Sequence, residues 1–488
     1  MPAPVGRGVP PTPIFDFARL QKIASLVSGH AFAMSESRSR EDASPAQGSE
    51  PRDVIVMRPE GLFKASPEGA AEVRGELARQ GVAVGDALAP ICGVTARVSE
   101  GQVAELEKAG YAVFDDAPLS LVPGFPSRVV ATPAAGDDDV SMPKVDPVAL
   151  THSDAVQRQG VTGKGQVVAV IDSGFQHPST PLVAWKDFVD GSSTPVDPVG
   201  HGTHVAGDVR QIAPEAGLVG IRVMNAQGQG RPSDIIRGLQ WAIENKERYN
   251  ISVINMSLGG EPTGTPSSQN PIDRAVVAAI RKGITVVSAA GNSGPESHTI
   301  GSPADEPLGI AVGSGRDSKT VSDFSSRGPT DDGLSKPDVV APGEFIVSWN
   351  VPGSQLDKTA TVIEGIRHMT DDQLVKLLRA KPQLIEALGL PADVLSLPPD
   401  ERLRTVHQVL PPIYKPDADH LAGPGTSFAA PLVAGIVADL RSASPSLTPQ
   451  KVKDVLTATA DPMDARFGRN DQGAGFVNAE KALAAAKA

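Results

Sequence analysis

Five short apolar runs, separated by stretches of helical character, constrain the fold of residues 148–488. Residues 167–171 read Val-Val-Ala-Val-Ile, a continuous run that is typical of a strand buried on both faces of a parallel sheet. The other runs lie at residues 218–221, 251–254, 285–287 and 310–312. Helical stretches such as 233–245 and 273–282 separate several of them. This alternation predicts an α/β domain with a mainly parallel sheet, whose functional loops lie at the carboxyl ends of the strands.

A smaller folding unit is predicted for residues 51–122. Ser66-Pro67 is a typical helix start, and Ser99 to Gln102 has the pattern of a capping box that opens a second helix. Strand candidates lie at residues 54–57, 82–84, 94–98 and 111–114. The resulting order β-α-β-β-α-β predicts a small α+β domain of the ferredoxin-like kind.

The segments around this unit are predicted to be loosely structured. Residues 1–50 end in a polar stretch without periodicity and are interpreted as a disordered leader. Residues 123–147, with three consecutive aspartates at 137–139, are interpreted as an exposed linker. Residues 19–33 faintly resemble a signal peptide, but Ser25 and Ser28 interrupt the apolar core that a signal peptide needs. The sequence therefore carries no clear export signal.

Composition limits the remaining classes of function. The net charge of −12 argues against nonspecific binding to nucleic acid. No apolar run reaches the length of about 18 residues that indicates a membrane span. Cys92 is the single cysteine, so an intrachain disulfide is excluded.

Four polar residues occur where strands end or helices begin. Asp172 directly follows the run 167–171, and Asn292 follows the run near 285–287 in the sequence Ala-Ala-Gly-Asn. His201 opens His-Gly-Thr-His-Val-Ala-Gly, and Ser427 follows a glycine-rich bend before a run of small residues. Taken singly, each has an ordinary structural interpretation as a turn former, a packed or surface histidine, or a helix cap. Together they are the groups that acyl transfer needs: a hydroxyl, an imidazole base, a carboxylate and an oxyanion donor.

The motifs that contain these residues resemble those of the subtilisin-type serine proteases, the subtilases of peptidase family S8. The resemblance covers roughly residues 148–350 and 420–486. It rests on motifs at 171–174, 201–207, 255–260, 290–292 and 425–431. It implies a subtilisin-like three-layer domain and the chain order Asp, His, Ser of a catalytic triad. The implied activity is hydrolysis of peptide bonds in polypeptide substrates, and the alternative is a catalytically inactive binding or regulatory module of the same fold.

The resemblance also implies a role for each residue. Ser427 is expected to be the nucleophile, His201 the general base and then acid, and Asp172 the group that orients His201. Asn292 and the backbone N–H of Ser427 are expected to bind the oxyanion. Substrate is expected to add as a β-strand. The residues expected to bind it are Ser257, Leu258, Gly259, Gly230 and Gly301. Gly301 falls at the floor of the family's specificity pocket, which predicts a roomy pocket that prefers large apolar or aromatic side chains.

By the same resemblance, residues 51–122 are expected to be an inhibitory propeptide and the linker 123–147 to contain the processing site. The chain would then be a self-processing zymogen that is inhibited by its own propeptide, and secretion would be expected. His204 is expected to be packed. The short segment 208–213 lacks the loop that carries the tight calcium site of many subtilases. No cofactor is therefore expected for the chemistry; structural calcium stays possible, although the loop of the usual tight site is absent.

An insertion at about residues 354–420 departs from the family pattern. Thr370 to Gln373 forms a second capping box, and Leu374, Leu377 and Leu378 follow at helical spacing. This pattern predicts a small helical subdomain. Two interpretations stay open at this point: a packed surface decoration, or a lid or docking element that limits access to Ser427.

Overall fold

The structure is a computed structural model that describes residues 14–15, 17–28, 50–58, 65–120, 125–126 and 145–488. The predicted processing site and most of the leader and linker therefore lie outside the described residues. Up to residue 126 the elements are β1 (Ile14–Phe15), α1 (Phe17–Ser28), β2 (Arg52–Met57), α2 (Pro67–Arg79), β3 (Ala83–Leu88), β4 (Gly93–Val98), α3 (Glu100–Lys108), β5 (Ala112–Asp115), β6 (Leu119–Ser120) and β7 (Phe125–Pro126). Within the residues that the structure describes, no helix is long and apolar enough to cross a membrane.

The remaining elements form the large unit. In chain order they are α4 (Pro147–Leu150), α5 (Ser153–Arg158), β8 (Val167–Asp172), β9 (Ala184–Asp187), α6 (His201–Ile212), β10 (Gly217–Arg222), β11 (Gln229–Gly230), α7 (Pro232–Glu244), α8 (Lys246–Tyr249), β12 (Ile251–Met256), α9 (Pro271–Arg281), β13 (Thr285–Ala289), β14 (Ile310–Gly315), β15 (Val339–Pro342), β16 (Ile346–Trp349), α10 (Gln355–Arg367), α11 (Asp371–Ala380), α12 (Gln383–Leu388), α13 (Pro399–Val409), β17 (His420–Gly423), α14 (Thr426–Ala443), α15 (Pro449–Thr459), α16 (Arg469–Gln472) and α17 (Ala479–Lys487).

A seven-stranded parallel sheet forms the middle layer of the large unit, in the order β15-β14-β13-β12-β8-β10-β9. Its strands are apolar on both faces because helices cover both: α6 and α14 pack on the sheet, as do α7 and α9. The predicted three-layer α/β fold with a mainly parallel sheet is confirmed. All the carboxyl ends of these strands meet at one edge, where the functional loops were expected.

The small unit is a four-stranded antiparallel sheet in the order β3-β4-β2-β5, with α2 and α3 packed on one face. The central strand β2 explains how the small unit packs against the large unit. Val54 and Val56 point into the core of the small unit, whereas the alternate residues Ile55 and Met57 belong to the core of the large unit. Because side chains alternate across a strand, one strand contributes to two cores. The elements follow one another as β-α-β-β-α-β.

The leader contains an ordered helix, which corrects the expectation that residues 1–50 are disordered throughout. Residues 17–28 form α1, in which Leu20 and Ile23 are fully buried and Ala24 nearly so. The helix packs on α10 and α12 of the insertion. Apolar residues at positions 20, 23, 24 and 27 give it one apolar face.

The insertion is helical, as its sequence predicts. The capping box at Thr370 is present, and Leu374 and Leu378 are buried. Arg402 holds both carboxylate oxygens of Asp371 at 2.6 Å and so ties α13 to α11. The insertion leaves the body from the antiparallel pair β16 and β17, in which Ile346 lies opposite Gly423. Its exit therefore runs through β17 directly into the turn of Ser427.

One buried carboxyl in α14 makes the stability of the fold depend on pH. Asp439 is 1 % exposed, and neither carboxylate oxygen makes a hydrogen bond of ordinary geometry to a described residue. Burial raises the pKa of Asp439 to about 8, and the backbone N–H of Gly163 opposes this shift without cancelling it. The folded state therefore retains a proton that the unfolded chain releases near pH 4. Stability falls as the pH rises from about 4 to about 8.

We expect Asp439→Asn to stabilise the protein, with a gain that grows up to about pH 8. At pH 9 the gain should be on the order of a few kcal/mol, because the asparagine has no buried charge to form. The measurement is thermal unfolding at pH 5 and pH 9, with Ser427→Ala in every variant to keep the chain intact. The exposed Asp454→Asn is the matched control and should behave alike at both pH values. An equal or smaller gain at pH 9 than at pH 5 would contradict the account.

Candidate active site

Asp172 and His201 form a buried pair at the carboxyl edge of the sheet. Asp172 is the last residue of β8 and His201 the first residue of α6. Nδ1 of His201 lies 2.8 Å from Oδ1 of Asp172, and both side chains are at most 1 % exposed. Because a carboxylate only accepts, the proton of a neutral His201 sits on Nδ1. Its Nε2 is left as the basic atom.

The surroundings of His201 tune its basicity in two opposing directions. Burial alone lowers the pKa of the imidazole, since the charged form is poorly solvated in the interior. The charge of Asp172 and its hydrogen bond favour the imidazolium and outweigh burial, so the pKa is raised above the ordinary value of 6.5. His201 therefore takes up a proton more readily than an ordinary histidine.

Ser427 lies in the first turn of α14 and is 2 % exposed. Its hydroxyl donates to the carbonyl oxygen of Ser257 at 3.3 Å rather than to His201. The Ser257 hydroxyl donates in turn to the carbonyl of Ser427 at 2.7 Å, and Asn255 donates to the Ser257 hydroxyl at 2.9 Å. These bonds fix the serine turn to the end of β12.

Phe428 joins the serine turn to the histidine helix. Its ring centroid lies 5.6 Å from that of His201 and 4.0 Å from that of His204. Gly435, two turns further along α14, lets the two helices approach closely, because an added Cβ there would lie 2.7 Å from Cβ of Ile212. The predicted triad residues are thus brought together by the packing of α14 on α6.

Asn292 follows β13 and is oriented by the residue that precedes Ser427. Its Oδ1 accepts from the backbone N–H of Thr426 at 3.0 Å and from the Thr426 hydroxyl at 2.9 Å. A backbone N–H can only donate, so the atom that faces it must be the amide oxygen. The Nδ2 donor is therefore directed toward the serine turn, where it lies 3.4 Å from the position of a Cβ built on Gly425.

One predicted substrate-binding edge is occupied by the chain itself. Gly230 pairs with Leu119 and Gln229 with Ser120, so β6 lies antiparallel to β11. The other predicted edge, with Ser257, Leu258 and Gly259, follows β12. Its next residue, Gly260, donates to the carbonyl of Ser302 at 3.1 Å. Residues 119–120 therefore already form a strand along one of the two edges at which substrate is expected to bind.

The missing side chain of Gly301 leaves no open space where its Cβ would lie, contrary to the reasoning behind the expected roomy pocket. A Cβ at Gly301 would lie 2.4 Å from the carbonyl oxygen of Gly260 and 2.9 Å from the carbonyl carbon of Glu261. The missing side chain is therefore needed for the close approach of two backbone segments. The space above the glycine is filled by residues 260–262.

Sequence reasoning missed the polar contacts between the small unit and the large unit. Asp116 accepts from the backbone N–H of Ser233 at 2.9 Å and from its hydroxyl at 2.7 Å, so it caps the N-terminus of α7. Arg231 contacts Asp53 at 3.0 Å, and Arg237 contacts Asp86 at 2.9 Å. No local pattern marks these residues, since each partner is more than a hundred positions away in sequence.

His204 is packed, as expected. Its Nδ1 lies 3.0 Å from Asp208 and its Nε2 lies 3.0 Å from the carbonyl of Leu421, so both nitrogens are engaged by the protein. Within the described ranges, no group of three or more His, Cys, Asp and Glu side chains could hold a metal ion. At the position of the tight calcium loop, α6 continues without interruption to Ile212. The residues there do not fit that calcium site.

Comparison with known proteins gives consistent matches. The model of the subtilase family (Peptidase_S8) matches residues 163–370 and 418–479, and the part between them lies inside the insertion. Serine protease AprX of Bacillus subtilis (strain 168) is 36 % identical over 360 residues, which cover 68 % of this chain and 70 % of that protein. Subtilisin E of the same strain is 41 % identical over 220 residues, covering 42 % of this chain and 54 % of its own length. A subtilisin of Bacillus pumilus is 40 % identical over 220 residues, covering 42 % of this chain and 74 % of its own length.

The packing around Gly301 yields a test of the cleft geometry. We expect Gly301→Ala to lower kcat/KM on peptide substrates by at least about tenfold, because a shift of about 1 Å in a positioning segment can cost a hundredfold. Gly260→Ala is the matched control, since an added Cβ there meets nothing within 4 Å. The measurement is kcat/KM for both variants, with unfolding midpoints as a check on folding. Equal kcat/KM values for both variants would contradict the described packing.

Proposed function

Since the chain belongs to the subtilase family and is a serine endopeptidase, we propose that Asp172, His201 and Ser427 are its catalytic triad. We also propose that it is made as a zymogen that cuts its own linker. The observation that carries the triad is the buried 2.8 Å contact between His201 and Asp172, packed through Phe428 against the turn of Ser427. A binding module without activity would have no need for this assembled arrangement.

Catalysis begins when Ser427 turns from the Ser257 carbonyl toward Nε2 of His201. His201 removes the hydroxyl proton as the oxygen attacks the substrate carbonyl, and Asp172 stabilises the imidazolium that forms. The tetrahedral intermediate collapses as His201 gives its proton to the leaving amine, which leaves an acyl group on Ser427. Water, deprotonated by the same imidazole, then hydrolyses the acyl-enzyme.

The negative oxygen of the intermediate needs donors that are already in place. Asn292 supplies Nδ2, held in that orientation by its bonds to Thr426. The backbone N–H of Ser427 supplies the second donor at the start of α14, where the helix dipole also favours negative charge. Loss of such a side-chain donor lowers kcat by about 10²–10³; the measured case is subtilisin itself.

The strand formed by Leu119 and Ser120 supports both the proposed mode of substrate binding and the proposed inhibition by the propeptide. Peptide substrates would pair with Gly230 as β6 does, main chain to main chain. The small unit would remain on α7 through Asp116 and the contacts of Arg231 and Arg237 after the linker is cut. To stay in the cleft as a product-like inhibitor, the cut fragment must retain Ser120. The cut is therefore proposed between residues 121 and 145.

No cofactor is proposed for this chemistry. The triad mechanism uses only protein groups and water, and the continuous helix α6 supports the proposal that the tight calcium site of many subtilases is missing here.

We expect Ser427→Ala to remain a full-length chain of 50.5 kDa, because self-cleavage needs the nucleophile. The wild-type chain should split, and N-terminal sequencing of its larger fragment should give a start between residues 122 and 146. Ser442→Ala, on the same helix but away from the site, is the matched control and should split like the wild type. Cleavage of Ser427→Ala in a protease-free preparation would refute self-processing.

A further inference from the structure

Helix α1 lies antiparallel to α12 of the insertion, and each helix caps the other. Arg19, near the start of α1, donates to the carbonyl oxygens of Ala387 at 2.6 Å and Glu386 at 3.2 Å, in the last turn of α12. The carbonyl of Glu386 also accepts from the backbone N–H of Gly389 at 2.9 Å. Lys381, just before α12, donates to the carbonyls of Leu26 and Val27, the latter at 3.0 Å, at the end of α1. A cation at a helix C-terminus interacts favourably with the last carbonyls of the helix and with the helix dipole.

The apolar face of α1 completes this contact. Leu20 and Ile23 are fully buried, and they belong to the same cluster as Leu384 and Leu388 of α12. Lys22, between them in sequence, is exposed. A helix of 12 residues is only marginally stable alone in water, so α1 depends on the insertion for its structure.

The insertion that receives α1 is rooted at the catalytic loops. The backbone N–H groups of Gln355 and Leu356, at the start of α10, donate to the carbonyls of Pro198 and Val199 at 3.0 Å each. These carbonyls lie just before His201. At its other end, the insertion continues through β17 into the turn of Ser427. Helix α1 therefore docks on a subdomain that touches both sides of the triad.

The leader also contacts the linker. β1 pairs with β7 in an antiparallel arrangement, with Ile14 opposite Pro126 and Phe15 opposite Phe125. The proposed cut lies in the same stretch of linker. The fragment released by the cut carries α1, the small unit and β6 on one chain, and each of these has its own contact on the large unit or its insertion.

We propose that the helical insertion is the receptor for the leader helix α1, and that this contact retains the cut propeptide fragment on the enzyme. The proposal rests on the zymogen function proposed above. Once one part of a linked ligand is bound, binding of the other becomes intramolecular, and such linkage raises overall affinity by about 10²–10⁴. The insertion thus sets how long the enzyme stays inhibited after it has cut itself.

The test uses the full-length chain with Ile23→Asp, which puts a charge into the buried face of α1. The linker should be cut as in the wild type, but activity on a short peptide substrate should appear at least about tenfold sooner. The N-terminal fragment should no longer co-elute with the enzyme on gel filtration, whereas the final kcat/KM stays the same. Lys22→Asp adds the same side chain to the exposed face of α1 and should match the wild type.

A second variant guards against failure of Ile23→Asp to fold. Arg19→Ala with Lys381→Ala removes both caps and leaves the apolar contact, so the fragment should be released about threefold or more faster. Normal cleavage with unchanged retention of the fragment in either variant that folds would overturn this proposal alone. A wild-type chain that never cuts itself would overturn the zymogen function together with it.

Discussion

The buried contact of His201 with Asp172 is the interaction on which the rest of this structure depends. It pairs the end of a central strand with the start of a helix, so it can form only where the parallel sheet brings its carboxyl ends together. The packing of α14 on α6 and the contact of the Phe428 ring with His201 bring the turn that carries Ser427 close to this helix start. Burial lowers the pKa of His201, but the charge of Asp172 and its hydrogen bond outweigh burial and raise that pKa above the ordinary value.

Two segments from distant parts of the chain surround this centre. The small unit and β6 approach from the side of α7 and β11, and the helical insertion approaches from the side of β16 and β17. The contact of the small unit with the large unit is polar at Asp116 and apolar at Ile55 and Met57. The leader helix α1 packs on the insertion.

The sequence predicted the features that depend on local pattern. The continuous apolar strands predicted the fold class, and the motifs around Asp172 and His201 marked two residues that lie in contact. The capping box at Thr370 correctly predicted the start of a helix in the insertion. The predictions that were wrong concern features that depend on residues far apart in the sequence. Helix α1 has an apolar face, but its partner α12 lies some 360 positions away, so the pattern resembled an interrupted signal peptide. Gly301 was interpreted as an open floor because a sequence does not show that residues 260–262 fill the space above it.

Labelling of Ser427 by a fluorophosphonate probe, followed as a function of pH on the processed enzyme, tests the central claim most directly. The probe reacts with a serine only when a base activates its hydroxyl. Because Asp172 raises the pKa of His201 above 6.5, the labelling rate should rise with pH and reach half its maximum above pH 6.5. Asp172→Asn should slow labelling and move that midpoint to lower pH. Absence of label on Ser427, or an equal rate at pH 5 and pH 8, would contradict the account.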